Sequence, residues 1–329
     1  MRDALFKLKL VGRVAPRAPP DRRSAVEESE TSPARTIHSF GLFHPARAER
    51  RAPPFPLSQN FLEFPRFFFR HSAPVNPSKT FQVDDLPVRV YASQEDLSQD
   101  AARIVQSILA ESIRERGAAF AIMATGNSQI RFLDELIKLG GVDWSKVTLF
   151  HMDEYLGLDA NHPACFRRYM RERVASRVHP KVFHYLEGDA DQPLNECARY
   201  ADLLQAQEID LCCLGIGENG HIAFNDPHVA DFEDPWAVKL VSLDLACRQQ
   251  QVSEGHFPGV DQMPRYAYTL TIPTLCAVRK IVCIAPEKRK ATAVHGALRE
   301  TVSTNCPASY LRTQSRAVML IDTDSAALL

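Results

Sequence analysis

Residues 211–227 read Leu211-Cys-Cys-Leu-Gly-Ile-Gly-Glu-Asn-Gly-His-Ile-Ala-Phe-Asn-Asp-Pro227. A short apolar run stops at Gly215, and Gly217 and Gly220 then lead into His221. Such a run, ended by turn residues, reads as a strand buried on both faces, as in parallel sheets. Cys212 and Cys213 are adjacent on it, so their side chains point to opposite faces. The strand delivers its carboxyl end, with His221 just beyond, to the edge where open α/β sheets hold ligands. Gly215, Gly217 and Gly220 match the dinucleotide spacing, but that fingerprint needs a helix opening at its glycines. Asn225-Asp226-Pro227 follows too soon for one. The glycines suit close backbone approach to a ligand, or a tight strand-to-loop turn.

Outward from this stretch the chain alternates strands with amphipathic helices. Val88–Tyr91 alternates as a strand, and Leu97, Ala101, Ile104, Val105, Ile108 and Leu109 share one helical face. Ala119–Ala124 is a strand, followed by a helix bearing Ile130, Leu133, Leu136 and Ile137. Further strands are expected at 147–150, 182–185, 209–214, 238–241, 267–271, 280–285 and 317–321. Helices are expected near 166–178, 195–207 and 288–298. This order predicts an α/β fold: a doubly wound, mostly parallel sheet with helices on both faces. Residues 81–329 are assigned to that domain. Residues 1–80, rich in Pro and Arg and without helical or strand period, are read as a disordered extension.

The net charge of −1 gives no basic field for nucleic acid. It hides an asymmetry: residues 1–76 hold 13 Lys and Arg against 7 Asp and Glu, and the rest 26 against 33. The basic start would suit a targeting segment, but Glu27, Glu28 and Glu30 argue against one. No run reaches the roughly 18–20 apolar residues of a membrane helix. The eight cysteines lack paired metal spacing and fit free thiols in the cytoplasm.

A second strand end carries acids: Val147-Thr-Leu-Phe-His-Met-Asp153-Glu154-Tyr155. An imidazole and a carboxylate facing one cleft suit acid–base chemistry on a small molecule. The bland alternatives are a core histidine and solvated acids. Asn219 and Asp226 are close enough in sequence to orient His221. If the strand continues, one of Asp153 and Glu154 faces the cleft and the other faces away. Thr125-Gly126-Asn127-Ser128 opens a helix and offers unpaired N–H groups to an anion, unless Asn127 or Ser128 merely caps it. Lys288-Arg289-Lys290 opens another helix and either completes a phosphate site or forms a solvated turn. Two anion-suited strand ends favour a phosphorylated substrate.

Met152-Asp-Glu-Tyr-Leu-Gly157 with His162-Pro163, and the stretch Gly215–Pro227, together resemble the glucosamine-6-phosphate deaminase family. Thr125-Gly126, Pro264–Ala267 and Lys290-Ala291 fall in matching order, so the resemblance spans about residues 85–322. It implies a Rossmann-like fold, no metal or organic cofactor, and a phosphorylated amino sugar as partner. The activity implied is conversion of glucosamine 6-phosphate and water to fructose 6-phosphate and ammonia. Asp153 would move a proton between C2 and C1. His221, partnered by Asn219 and Asp226, would open the sugar ring. Thr125, Gly126, Asn127, Ser128 and Lys290 would hold phosphate, with Gly217 and Gly220 lining the substrate. Asn219 stands where many members carry Asp, and Asp226 where Glu is usual. The family's phosphate-binding lid arginine has no clear match: gapless reading puts Gln251 there, with Arg248 nearby as candidate. The extension found in hexameric, allosteric members does not follow Asp322, and a homo-oligomer is left open. A 6-phosphogluconolactonase-like hydrolase and a non-catalytic sugar-phosphate sensor are the alternative functions.

Overall fold

A computed structural model of the chain describes residues 75–329. Its main sheet has eight strands in the order β1-β2-β11-β10-β7-β3-β4-β6. These are β1 (Lys79–Val83), β2 (Leu86–Tyr91), β3 (Ala119–Met123), β4 (Val147–His151), β6 (Val182–His184), β7 (Leu211–Leu214), β10 (Lys280–Ile284) and β11 (Ala317–Asp322). The β1–β2 hairpin is antiparallel and every other pairing in this sheet is parallel.

Strand alternation divides the core in two. Ile122, Cys212, Leu214, Ile281, Cys283, Met319 and Ile321 pack on one face. Ala121, Met123, Leu211, Cys213, Val282, Ile284 and Leu320 pack on the other. Cys212 and Cys213 thus lie in different cores, as period-two geometry requires. On the second face the long helix α1 (Gln94–Arg116) buries Leu97, Ala101, Val105 and Leu109. Ser93 caps its start by accepting from the Asp96 N–H, and Gly117 ends it in the left-handed region at φ 76°. Helix α2 (Asn127–Leu139) adds Phe132, Leu133 and Leu136 to that face. Helices α4 (Pro193–Gln205) and α6 (Ala291–Arg299) cover the first face. Between α2 and α4 in the chain, the segment from Phe166 runs as α3 (Phe166–Met170) into a π-helical stretch and a last turn, Ser176–Val178.

Two expectations need correction. The strands near 238 and 267 do not join the main sheet. β5 (Asp153–Tyr155), β8 (Val238–Ser242) and β9 (Tyr266–Leu270) form a separate antiparallel sheet in the order β5-β9-β8. Its inner side, with α5 (Leu245–Ser253), surrounds a third apolar cluster that includes Tyr155, Phe166, Phe224, Cys247 and Phe257. Local pattern announces a strand but not which sheet it enters. The domain also begins before residue 81. Residues 1–74 of the expected extension lie outside the described residues. Yet β1 opens at Lys79, and Val75 packs against the helix-side core. Prolines and polar residues around this edge hairpin hid it.

Candidate active site

β3 pairs with β4 on one side and β7 on the other, so successive crossovers leave β3 in opposite directions. Such a switch opens a crevice at the carboxyl ends of the strands. A cleft lies there, lined among others by Thr125–Ser128, Asp153, Gly217, His221, Gln251 and Lys290.

His221 comes from the loop after β7. Gly217 N–H donates to the His221 carbonyl at 2.8 Å, and Gly220 closes the turn at φ 84°. A side chain at Gly217 would put its Cβ 2.1 Å from the imidazole, so glycine is required under the ring. His221 Nδ1 lies 2.7 Å from Asn219 Oδ1 and 3.0 Å from Asp226 Oδ1. Asn219 Nδ2 donates to Asp226 at 3.0 Å and to Asp244 at 3.2 Å. With Nδ1 facing acceptors, Nδ1 carries the proton and Nε2 is left as the exchanging nitrogen. Burial pushes the Asp226 carboxyl up, but hydrogen bonds from His221 and Asn219 outweigh it, and the group titrates below its ordinary value. Asn225 anchors the loop by donating to Ile222 and Leu270 carbonyls at 2.9 and 2.8 Å.

Asp153 stands where the chain leaves the main sheet. β4 ends at His151, and Asp153 pairs with Thr269 in the small sheet. Its carboxyl is buried, and Oδ1 has no hydrogen-bond partner. Burial, reinforced by the charge of Glu154, raises its titration well above that of an ordinary aspartate. Glu154 faces away: it accepts from the Phe166 and Arg167 backbone N–H groups at 3.2 and 2.8 Å, at the start of α3. His151 is a core residue whose Nε2 accepts from Leu186 N–H at 2.8 Å; burial lowers its titration to about 3.

The anion-suited groups share the cleft. α2 is preceded by Gly126, φ 103°, without a side-chain cap, and while the Gln129 N–H donates to the Gly126 carbonyl, the Asn127 and Ser128 N–H groups stay available. Neither Asn127 nor Ser128 caps it. Lys290 is buried, and its Nζ has no hydrogen bond or ion pair among the described residues. Burial lowers its titration, the neighbouring Arg289 charge adds to this, and Glu254, Glu218 and Glu287 oppose it.

Some expected residues lie elsewhere. Arg248 is not on the cleft wall; its guanidinium donates to the Val260 and Met263 carbonyls. Asn219 and Asp226 sit behind His221, and Gly220 packs toward Cys306. The wall instead includes Gln250, Gln251 and Glu254 from α5 and its end, and Arg289. The signal for them was spacing: Cys247, Gln250, Gln251 and Glu254 recur at helical intervals. His221, Asp226 and Cys247 bring one donor atom each within 4.8 Å, as do Asp226, His228 and Asp244. In both groups Asp226 is already engaged by His221 and Asn219, so hydrogen bonding accounts for them.

Residues 92–320 match the family described as glucosamine-6-phosphate isomerases/6-phosphogluconolactonase. A glucosamine-6-phosphate deaminase of Exiguobacterium is 32% identical over 230 residues, covering 70% of this chain and 88% of that protein. Glucosamine-6-phosphate deaminase 1 of Bacillus subtilis is 34% identical over 240 residues, covering 71% and 96%. The solved structure of a monomeric glucosamine-6-phosphate deaminase superposes with a TM-score of 0.68 at 32% identity, covering 74% of this chain and 99% of that one. A 6-phosphogluconolactonase from Shewanella baltica shares the fold at 18% identity and a TM-score of 0.60, covering 74% and 99%. The strand order, the cleft at the switch point and these matches agree, and the chain belongs to the glucosamine-6-phosphate isomerase/6-phosphogluconolactonase family.

Proposed function

We propose that this cleft converts glucosamine 6-phosphate and water to fructose 6-phosphate and ammonia. The observation that carries this reading is a buried carboxyl with an unpaired oxygen, Asp153, on the same cleft as an imidazole fixed at Nδ1, His221. His221 Nε2 exchanges the proton between O1 and the ring oxygen, which opens the pyranose. Asp153 then takes the C2 proton and returns it to C1. Its burial suits this, because a raised titration makes a stronger base once ionised. The substrate ammonium at C2 supplies the positive partner that the carboxylate otherwise lacks. C2 becomes an imine, water adds there, and ammonia leaves. The phosphate, held by the α2 N-terminus and Lys290, fixes the sugar without taking part in bond changes. Gly217 supports His221 from beneath.

The relatives named above as deaminases support the substrate, and the retained Asp153 supports the reaction. Lactone hydrolysis would move no C2 proton and would leave Asp153 without work. All eight cysteines are free and buried, which suits a reducing compartment, and we assign the enzyme to the cytoplasm. No helix among the described residues is long and apolar enough to cross a membrane. The test is incubation of the protein with glucosamine 6-phosphate in deuterated water, reading ammonia and deuterium at C1 of the product. Absence of ammonia together with hydrolysis of 6-phosphogluconolactone would overturn the assignment. Binding without turnover of either would identify a sensor.

A further inference from the structure

The cations lining the cleft among the described residues are Arg289 and Lys290. Helix α5, where the sequence led us to seek an arginine, presents Gln250 and Gln251, followed by Glu254. A phosphate dianion resting on Lys290 and a helix N-terminus would therefore keep uncompensated charge unless Arg289 joins it. Arg289 is one residue from Lys290 and borders the same space. Its Nε donates to Glu287 at 2.6 Å, and its Nη1 to Glu254 and, at 3.4 Å, to Glu218. Its Nη2 makes no hydrogen bond among the described residues.

We propose that Arg289 is a second phosphate-binding cation of this cleft, held in reserve on Glu254 and transferred to the phosphate when the sugar phosphate enters. The inference rests on the phosphorylated substrate proposed above. Glu254 can release the guanidinium without being stranded. It also accepts from Gln250 Nε2 at 2.8 Å and lies 3.4 Å from His256 Nε2. Glu287 belongs to the same loop as Arg289 and can follow it. That loop is anchored behind: Glu287 N–H points at both Asp322 carboxylate oxygens, 3.2 and 3.1 Å away. Glu287 itself sits at φ 83°, a conformation costly for a side chain other than glycine and typical of segments held for function. Backbone placement is thus fixed while the Arg289 side chain exchanges partners. A guanidinium suits this role because its fork can grip two phosphate oxygens.

Transfer differs from simple bracing in the sign of one effect. If Glu254 competes with phosphate for Arg289, removing its charge must tighten phosphate binding. If the pair only braces the mouth, its removal must loosen binding. The measurement uses the full chain and inorganic phosphate as probe, read by phosphate-dependent thermal stabilisation and by competition with glucosamine 6-phosphate. Arg289→Gln should weaken phosphate roughly 10- to 100-fold, as expected for a charge-assisted contact. Arg289→Lys should recover part of this, and Glu254→Gln should tighten phosphate several-fold. Unphosphorylated glucosamine should bind Arg289→Gln as it binds the parent. Unchanged phosphate affinity in Arg289→Gln, loosened affinity in Glu254→Gln, or no phosphate binding by the parent would overturn the proposal. Should Arg289→Gln fail to fold, Glu254→Gln and Arg289→Lys still decide the sign. Phosphate binding that follows this pattern without ammonia release would sink the deaminase reading and leave Arg289's role standing.

Discussion

Single side chains carry the chemistry, and the two acids in sequence at 153 and 154 show how. A strand that changes sheet at Met152 turns one into the cleft and the other onto a helix start. Asp153→Asn should lower deaminase turnover about 10²–10⁴-fold and abolish C2 proton exchange. It should also stabilise the fold at neutral pH. Burial makes the native state hold the Asp153 proton above the pH where the unfolded chain releases it. Stability therefore falls as pH rises above the ordinary aspartate range, until the raised native titration is passed. The amide escapes that loss, so at pH 7 the variant should gain about 0.5–2 kcal/mol, read from denaturant midpoints. A variant less stable than the parent at pH 7 would show that Asp153 is paired in solution. Glu154→Gln should instead lose about 1–3 kcal/mol while keeping the exchange reaction, because an amide has one accepting oxygen where the carboxylate uses both to hold the Tyr155, Phe166 and Arg167 N–H groups. Loss of exchange in that variant would transfer the base role to it. For His221, Asn219→Asp adds negative charge 2.7 Å from Nδ1 and favours the imidazolium. One limb of the pH–rate profile should move upward, and an unmoved limb would mean that Asn219 does not influence the exchanging proton.

Whole elements decide where those residues meet, and here the sequence was legible unevenly. The buried strands at 119, 147, 211, 280 and 317 were readable because a strand covered on both faces is apolar at every position. The loop Gly215–Pro227 was readable because its glycines and His221 leave no room for a helix. α5 was not, although Asp244 caps it by accepting from Cys247 N–H at 2.6 Å. Its cleft face is polar, so apolar periodicity fails where function replaces core. The charge matched to Arg289 was equally hidden, since Glu218, Glu254 and Glu287 come from three separate segments. Glu254 titrates at about 2: burial pushes it up, but His256, Arg289 and Gln250 pull it lower. Its contribution to stability is complete above the ordinary glutamate range and is lost as pH falls toward about 2. Glu254→Gln should therefore lose less stability than the parent across that window, by on the order of 2 kcal/mol. Parallel acid-unfolding curves would show that the carboxylate is not held by Arg289 in solution.

At the scale of the molecule, both cores and the cleft are built from residues 75–329, and the least obvious contribution is the first hairpin. β1 pairs along the full length of β2, with Lys79 opposite Val90 and Val83 opposite Leu86. Phe81 and Val83 pack on the first core, and Val75 on the second. β2 is the strand that β1 shields: Leu86 and Val88 on it are fully buried, and its other neighbour is β11. Two truncations follow with different outcomes. A chain beginning at Val75 keeps every contact just named and should melt cooperatively and release ammonia as the full chain does. A chain beginning at Asp85 uncovers the hydrogen-bonding edge of β2 and part of both cores. Unpaired edges of this kind invite pairing with another copy, so this chain should melt lower and aggregate on heating. The cleft ends of β7 and β3 lie four and five strands from β1 in the sheet, so its residual folded fraction should keep a normal KM. Calorimetry, light scattering and ammonia release on the two truncations measure all three quantities. Loss of cooperative melting in the chain beginning at Val75 would mean that residues before it are needed to complete the domain. Equal stability of the two would mean that β1 adds no net protection to the sheet edge.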